Sequence, residues 1–508
     1  MVGRATTDAP VHVAGSAARP GRAQLLGPTL VVAAAVGVAA WYLVLLLRRH
    51  DGLASQAYDL AFFQQLVWNL GRGNGLVSSL ETGNFLGLHF SPLLALPAAL
   101  EVIWPDARLL SALHVVGLAA LGPATFLLVR ALLRPSSAAS MVAAALAAPV
   151  PIWAIVQEAA RADFHTEAIG IPLALLAGWA GLSGRIPWMW LLGGAALLAK
   201  EDQAWAVAVV GLVVARAPGG APSRRRQGLR LTAVSLVYGV VIVVAVMPLI
   251  RAATGGSTPF AGYYGWLPDA LGAGGPGMAI EAAARSLGRL DGWLMAGGMV
   301  LSGAGLGVLR PSWLVLLVPP LALNLLSHHE PQPALRLHYG LSLLVPAVVA
   351  SGLGARRLLA IGSVLRRRRA GQRGRRLSRR SSGWPIALAV PALVVALGQA
   401  SLPPLAGAGG PFAYPPARER AESAAVLIPP AAKIAVDDGM AVLFANRQHL
   451  TLLGQPIPPD AWVVADRTPS LPGYIDRVIR AESLQTVTRE RPLLHDDGRI
   501  RVWGPRGG

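Results

Sequence analysis

The sequence predicts an all-α polytopic membrane protein with a small α/β domain at its C-terminal end. Three observations carry that prediction. The 508-residue chain is 54% hydrophobic and only 14% charged, against about 25% charged residues in an ordinary soluble protein. Its apolar residues gather into runs of roughly 16 to 22, near the length that crosses about 30 Å of hydrocarbon. After residue 402 the texture changes to a Pro/Gly stretch, "PPLAGAGGPFAYPP", and then to short apolar strands with charged edges.

Residues 1–26 read as a basic cytoplasmic tail. The apolar run that follows is too long for a signal-peptide core and has no clear small-residue cleavage site, so it is expected to be an uncleaved first span. Eleven spans are expected, near 27–47, 109–130, 138–157, 168–184, 187–199, 203–216, 231–250, 293–309, 311–327, 340–355 and 384–402. Together they make a membrane domain over 27–402 with a long first outer loop, 48–108. With the N-terminus inside, the inner segments hold 23 arginines against one acid, Asp8, while the outer membrane loops hold 10 basic and 14 acidic residues. That is the asymmetry of the positive-inside rule, and it places the protein in the cell membrane. The segment "HFSPLLALPAALEVIW" (89–104) is apolar but short, and reads as re-entrant or interfacial. A linker over 403–415 leads to the α/β domain, 416–508, expected outside the membrane. There its "VDDG" and "HDDG" read as turns.

The formal charge of +19 follows from basic loops facing anionic lipid head groups. The arginine cluster near 366–380 has no interleaved aromatics, which argues against nucleic acid as a partner. Without cysteine, disulfide and thiolate chemistry are excluded.

With the topology set, ionisable residues gather in the outer loops. The first holds "SQAYDLAFFQQLVWNL", with Asp59 among aromatics, and also Glu81 and His89. The next reads "QEAARADFHTEA": Glu158, Arg161, Asp163, His165 and Glu167. A short turn carries Lys200, Glu201 and Asp202. The loop over 251–292 has Arg251, Tyr263, Tyr264 and Asp269, and "SHHEPQPALRLHYG" has His328, His329, Glu330, Arg336 and His338. Ionisable groups at membrane depth are costly unless they face a cavity or a partner, so this convergence points to a polar cavity at one face. Each cluster also has a plainer account. Asp59 could cap the following helix, the 158–167 charges could pair among themselves, "KED" could be a charged turn, and the tyrosines could form an interfacial belt. The histidines lack a metal-binding helical spacing, which argues against zinc.

The segments "YDLAFFQQLVWNL", "HFSPLLALP", "RADFHTEAIGIPLALLA" and "LLAKEDQAWAVAVVGL" resemble a bacterial and archaeal family of predicted membrane proteins. That family looks like a branch of the C-type (GT-C) glycosyltransferases, which use polyprenyl-phosphate sugars. The resemblance covers roughly 27–355. It implies that Asp59, in the first outer loop, is the catalytic carboxylate, with a second acidic cluster at Glu158 and Asp163. No tandem acidic pair stands in the first loop, which leaves metal dependence open. The expected partners are membrane lipid, a polyprenyl-phosphate-linked sugar and a cell-envelope acceptor. Asp59 would act as general base. Arg161, His165, Lys200, Arg336 and His338 would meet the phosphate or orient the acceptor, with Glu158, Asp163, Glu167, Glu201 and Asp202 as supporting acids. Asp163 and Glu167 are candidates to hold a divalent cation through oxygen ligands. The helices after Asp59 and at 89–104 would shape a groove for the lipid chain. The alternatives are a transporter or lipid flippase, which should show inverted repeats and mid-membrane charges, and a non-catalytic scaffold displaying the C-terminal domain.

Overall fold

The computed structural model describes residues 22–133, 137–256, 258–372, 416–469 and 475–507. The eleventh expected span, the linker and most of the N-terminal tail lie outside them. Among the described residues, five helical stretches are long and apolar enough to cross a membrane: Leu25–Asp51, Arg108–Leu132, Ala138–Arg161, Pro222–Thr254 and Tyr339–Val364. Among the described residues the first element is α1 (Arg22–Asp51), and the first loop then carries α2 (Phe62–Gly71), α3 (Phe85–Leu88) and α4 (Ala95–Glu101). The bundle continues through α5 (Arg108–Leu132), α6 (Ser137–Ala147), α7 (Ala154–Arg161), α8 (Glu167–Leu182), α9 (Ile186–Leu197) and α10 (Gln203–Arg216). It is completed by α11 (Pro222–Val241), α12 (Met247–Thr254), α13 (Pro259–Tyr264), α14 (Trp266–Leu287), α15 (Leu290–Ser302), α16 (Pro311–Leu314), α17 (Val318–Leu325) and α18 (Leu344–Gln372).

Several expected spans are broken or short, for local reasons. The third divides into α6 and α7 around Pro149 and Pro151, whose missing N–H groups cannot continue a helical ladder. The segment 293–309 ends as α15 at Ser302, where Ala304 and Gly305 both take positive φ (56° and 64°). The stretch 251–292, expected as a loop, is mostly helical. The 89–104 segment folds into the short α4, too short to span.

Helices pack closely through small residues. A Cβ on Gly228 of α11 would lie 2.5 Å from the Ala215 nitrogen and 2.6 Å from the Gly211 carbonyl oxygen of α10, and one on Gly211 would lie 2.8 Å from the Gly228 oxygen. Such mutual contact needs side-chain-free positions on both helices. Gly228→Leu is therefore expected to force the pair apart at a cost of about 1–3 kcal/mol. The check is thermal unfolding in detergent, and an unchanged midpoint would rule out this contact as a packing constraint.

The C-terminal domain holds α19 (Arg418–Ala425), β1 (Ile434–Val436), β2 (Leu450–Leu452), β3 (Trp462–Asp466), α20 (Arg477–Glu490), β4 (Leu493–Asp496) and β5 (Ile500–Trp503). The sheet order is β2-β1-β3-β5-β4, with β1 parallel to β2 and β3 and the other pairs antiparallel. "HDDG" is the expected turn: Gly498 takes φ 89°, and the Asp497 carboxylate accepts the Arg499 and Ile500 N–H groups at 2.9 and 2.7 Å. "VDDG" is more than a turn. Asp437 accepts two bonds from Arg480 (2.5 and 2.7 Å) and one from the Asp466 N–H (2.7 Å), tying β1 to β3 at their carboxyl ends.

This domain shares a hydrophobic core with the first loop. Phe62, Phe63, Leu66 and Val67 of α2 lie in one buried cluster with Ile434, Val436, Phe444 and Val502. Hydrogen bonds cross the junction from Gln64 to Asn446 (2.8 Å), from Gln65 to the Arg447 carbonyl (2.6 Å) and from Ala417 N–H to the Asp51 carbonyl (2.8 Å). Much of the apolar face of α2 is therefore covered by the tail domain. Past α4, by contrast, Val102, Ile103 and Trp104 are exposed, as is Leu96 on α4 itself.

Candidate active site

Asp59 is not the helix cap that local sequence allowed. It sits inside a single π-helical turn, Ala57–Ala61, which leads into α2, and its residue is only 9% exposed. Such π turns occur often at functional sites. Asp59 Oδ1 lies 3.7 Å from His165 Nε2, beyond hydrogen-bond range. Asp59 Oδ2 is buried with no hydrogen-bond partner among the described residues. Burial drives the Asp59 carboxyl well above the usual carboxylate range, and neighbouring Asp163 adds to that despite the pull of Arg49. Burial pushes the His165 imidazole down to about 3. The Asp59–His165 contact is therefore between a carboxyl reluctant to ionise and a neutral ring, and is not an ion pair.

His165 is stacked on His338, with ring centroids 3.7 Å apart and planes at 21°. His338 comes from a loop in which Leu335 and Leu337 both hold positive φ (53° and 54°). A non-glycine residue in such a conformation costs on the order of 1–3 kcal/mol, a strain that clusters at functional sites. Glu158 Oε2 accepts the Leu337 N–H at 3.2 Å and helps fix this loop. Burial first, and then the neighbouring His165 and Lys200, push the His338 imidazole well below its ordinary value. The Nδ1 atoms of both rings are buried and have no partner among the described residues.

Beyond the imidazoles lies a buried ion pair. Lys200 Nζ binds Glu167 Oε1, and His338 Nε2 stands 4.0 Å from the same oxygen. Burial opposes the Lys200 ammonium, yet Glu167, Asp202 and Glu201 together push its pKa upward. Asp202 lies 3.9 Å from Lys200. Glu201 turns toward the first loop, taking His89 Nδ1 at 2.9 Å and the Phe90 N–H at 2.9 Å.

Asp163 sits at positive φ (51°), which aspartate tolerates better than most residues. Its carboxylate faces Arg49 at 3.4 Å and accepts the Gln56 N–H at 3.1 Å. Arg49 also donates to the Arg161 and Ala54 carbonyls (2.9 and 3.3 Å), so one guanidinium joins α1, the first loop and the α7–α8 connection. The Arg161 side chain points away, 45% exposed and 3.6 Å from Glu158. Arg336 is exposed and has no carboxylate within ion-pair range among the described residues.

Four sequence-separated segments thus bring Asp59, Asp163, His165, Glu167, Lys200 and His338 to one end of the bundle, with Glu158, Glu201 and Asp202 beside them. Arg161 and Arg336 stand at the rim. Three further residues carried no local signal. Arg49 ends an apolar run, His114 lies within α5, and Asp438 is about 380 positions from Asp59. His114 Nδ1 accepts the His165 N–H at 3.3 Å and its Nε2 meets the Ala159 carbonyl at 3.0 Å, fixing the backbone that carries His165. Asp438 Oδ1 accepts the Ala57 N–H at 2.6 Å.

The residues do not fit the divalent cation allowed for Asp163 and Glu167. Both carboxylates are engaged by cations of the chain itself. Among the described residues no group of three or more His, Asp or Glu side chains is arranged to hold a metal.

An apolar helical bundle with buried ionisable groups massed at one end defines a polytopic membrane protein with a polar site. The chain belongs to the DUF2079 family, described as a predicted membrane protein, whose family model matches residues 49–457. That match runs through the first loop and the bundle into the C-terminal domain. No curated protein matches the sequence. Among solved structures the chain is similar to ArnT from Cupriavidus metallidurans bound to undecaprenyl phosphate, at TM-score 0.45 and 14% identity over 94% of this chain and 97% of that one. It is similar also to the oligosaccharyltransferase AglB from Archaeoglobus fulgidus in complex with an inhibitory peptide and a dolichol-phosphate (TM-score 0.43, 10% identity, 95% and 74% covered). A third similar structure is the Archaeoglobus fulgidus oligosaccharyltransferase in its apo form (TM-score 0.41, 11% identity, 87% and 69% covered).

Proposed function

We propose that the protein is an integral-membrane glycosyltransferase that moves a sugar from a polyprenyl-phosphate carrier to an extracytoplasmic acceptor. The observation that carries this reading is the single line of groups from Asp59 through the stacked His165 and His338 to the Glu167–Lys200 pair. It supplies a base at one end and phosphate-binding groups at the other. The acceptor hydroxyl attacks the anomeric carbon and its proton passes to an Asp59 carboxylate oxygen. The bond from that carbon to the phosphate oxygen breaks, and the carrier departs as polyprenyl phosphate. Neutral imidazoles suit this role, because each can donate an N–H to the phosphate without adding a charge that would need burial. Lys200 supplies positive charge near the developing anion. A base with a raised pKa takes up the proton more readily in the transition state.

The cluster stands at helix ends and not at mid-span, which favours this reading over a transporter. The tail domain's shared core with the first loop favours it over a display scaffold. The test uses purified protein in nanodiscs given a panel of radiolabelled polyprenyl-phosphate sugars and a cell-envelope acceptor fraction. The expected result is transfer by the native protein and its loss in Asp59→Asn. Near-normal transfer by that variant would overturn the assignment of the base.

A further inference from the structure

The "VDDG" stretch does three jobs in three consecutive residues. Asp437 is spent inside the tail domain on Arg480 and the Asp466 N–H. Asp438 reaches out of the domain and accepts the N–H of Ala57, the first residue of the π turn that carries Asp59. Gly439 lies flush against the first loop, where a Cβ would collide with the Leu53 carbonyl oxygen. Leu53 itself is held at positive φ (54°). The π turn has no capping bond from its own preceding side chain, Gln56. A turn of this kind begins with unsatisfied N–H groups, and here one of them is met by a carboxylate from a segment 381 residues away.

We propose that Asp438 is a positioning residue of the active site, and that the C-terminal domain is a working part of the transferase. Asp438 caps the Asp59 turn from outside, and Gly439 permits the approach this requires. The proposal rests on the reading of Asp59 as the base. Asp438 acts on the backbone that aims the carboxylate and does not touch substrate.

The experiment needs no substrate. Amide hydrogen exchange is measured in nanodiscs over residues 53–63, which include the π turn. It is measured also over 446–452, where the Leu450 N–H is bonded to Ser79 Oγ at 2.8 Å and reports domain docking. Asp438→Ala is expected to speed exchange in 53–63 by about tenfold or more, the size of a local opening, while 446–452 stays protected. Asp438→Asn keeps an acceptor oxygen and is expected to behave as the native chain does. Because the chain has no cysteine, Asp59→Cys gives a single thiol at the site. Its alkylation is expected to quicken when Asp438→Ala or Gly439→Ala is added, but not with Asp438→Asn. Unchanged exchange in 53–63 would overturn the proposal. So would loss of protection in both segments together, since Asp438 would then merely hold the domain in place. Neither result bears on whether Asp59→Asn abolishes transfer, so the two readings fail separately.

Discussion

On the proposed assignment of Asp59 as the base, Asp59→Asn is expected to lose transfer by about 10²–10⁴-fold, the usual contribution of a positioned general base, and to lose no stability. The two expectations come from the same environment. The Asp59 carboxyl is buried, beside Asp163, and its proton affinity is raised above the ordinary carboxylate value. A folded state that holds this proton more tightly than the unfolded chain is stabilised by it below the unfolded pKa of about 3.9. That stabilisation fades as pH rises through the folded value. At neutral pH, where the carboxyl of the unfolded chain is ionised, burying Asp59 costs the native chain stability in either protonation state, and asparagine carries no such cost. Thermal unfolding of Asp59→Asn near pH 7 is therefore expected to match or exceed that of the native protein, with a flatter pH dependence. Activity runs the other way. The base must be ionised to accept a proton, so the native rate should fall on acidification at a pH above the usual carboxylate range. An acidic limb near pH 4 would contradict the burial argument, and a less stable Asp59→Asn would point to a structural role for the carboxylate.

Lys200→Met is expected to be the most destabilising single change in the site. Its side chain is 10% exposed and that of its partner Glu167 is 4% exposed. Removing one member of a buried pair leaves the other charge uncompensated, at a cost of about 3–5 kcal/mol. Removing both leaves no buried carboxylate without its cation, since Asp202, 3.9 Å from Lys200, has a side chain 39% exposed, so Lys200→Met with Glu167→Leu should recover most of the lost stability. On the proposed role of Lys200, transfer should stay impaired in the double variant, because the cation proposed to meet the departing phosphate has gone. Thermal unfolding of the two single variants and the double variant completes the cycle. A double variant as unstable as Lys200→Met would show that the pair is not the source of the effect.

Much of this was legible in the sequence. The apolar runs and the arginine bias pointed to a bundle, and outer-loop charges pointed to Asp59, His165, Lys200 and His338, which the structure brings together. Each stands out because an ionisable residue flanked by apolar sequence is conspicuous. Arg49 is not, since an arginine ending a span looks like an ordinary anchor. His114 was hidden within a span, its role visible only once α7 packs against α5. Asp438 lay in a stretch whose local grammar is that of a turn, and nothing nearby says that its acceptor oxygen is meant for Ala57. Local breaks are harder to read: the positive φ of Ala304 and Gly305 ends a helix inside the apolar run 293–309, which hydropathy treats as continuous. Arg161 and Arg336 look as basic as Lys200 on paper. Whether a cation is buried or left at the rim depends on packing, which composition does not encode.

The junction of the first loop with the tail domain also sets an order of assembly. A ribosome must reach residues 434–503 before residues near position 60 meet the strands that cover them. Until then the nascent loop has aromatic surface open to solvent or to chaperones, and its carboxylate is not yet aimed. On the proposed reading of Asp59, the site is completed only when residues 434–503 have folded against the first loop, and chains truncated before them are expected to insert into the bilayer without becoming competent.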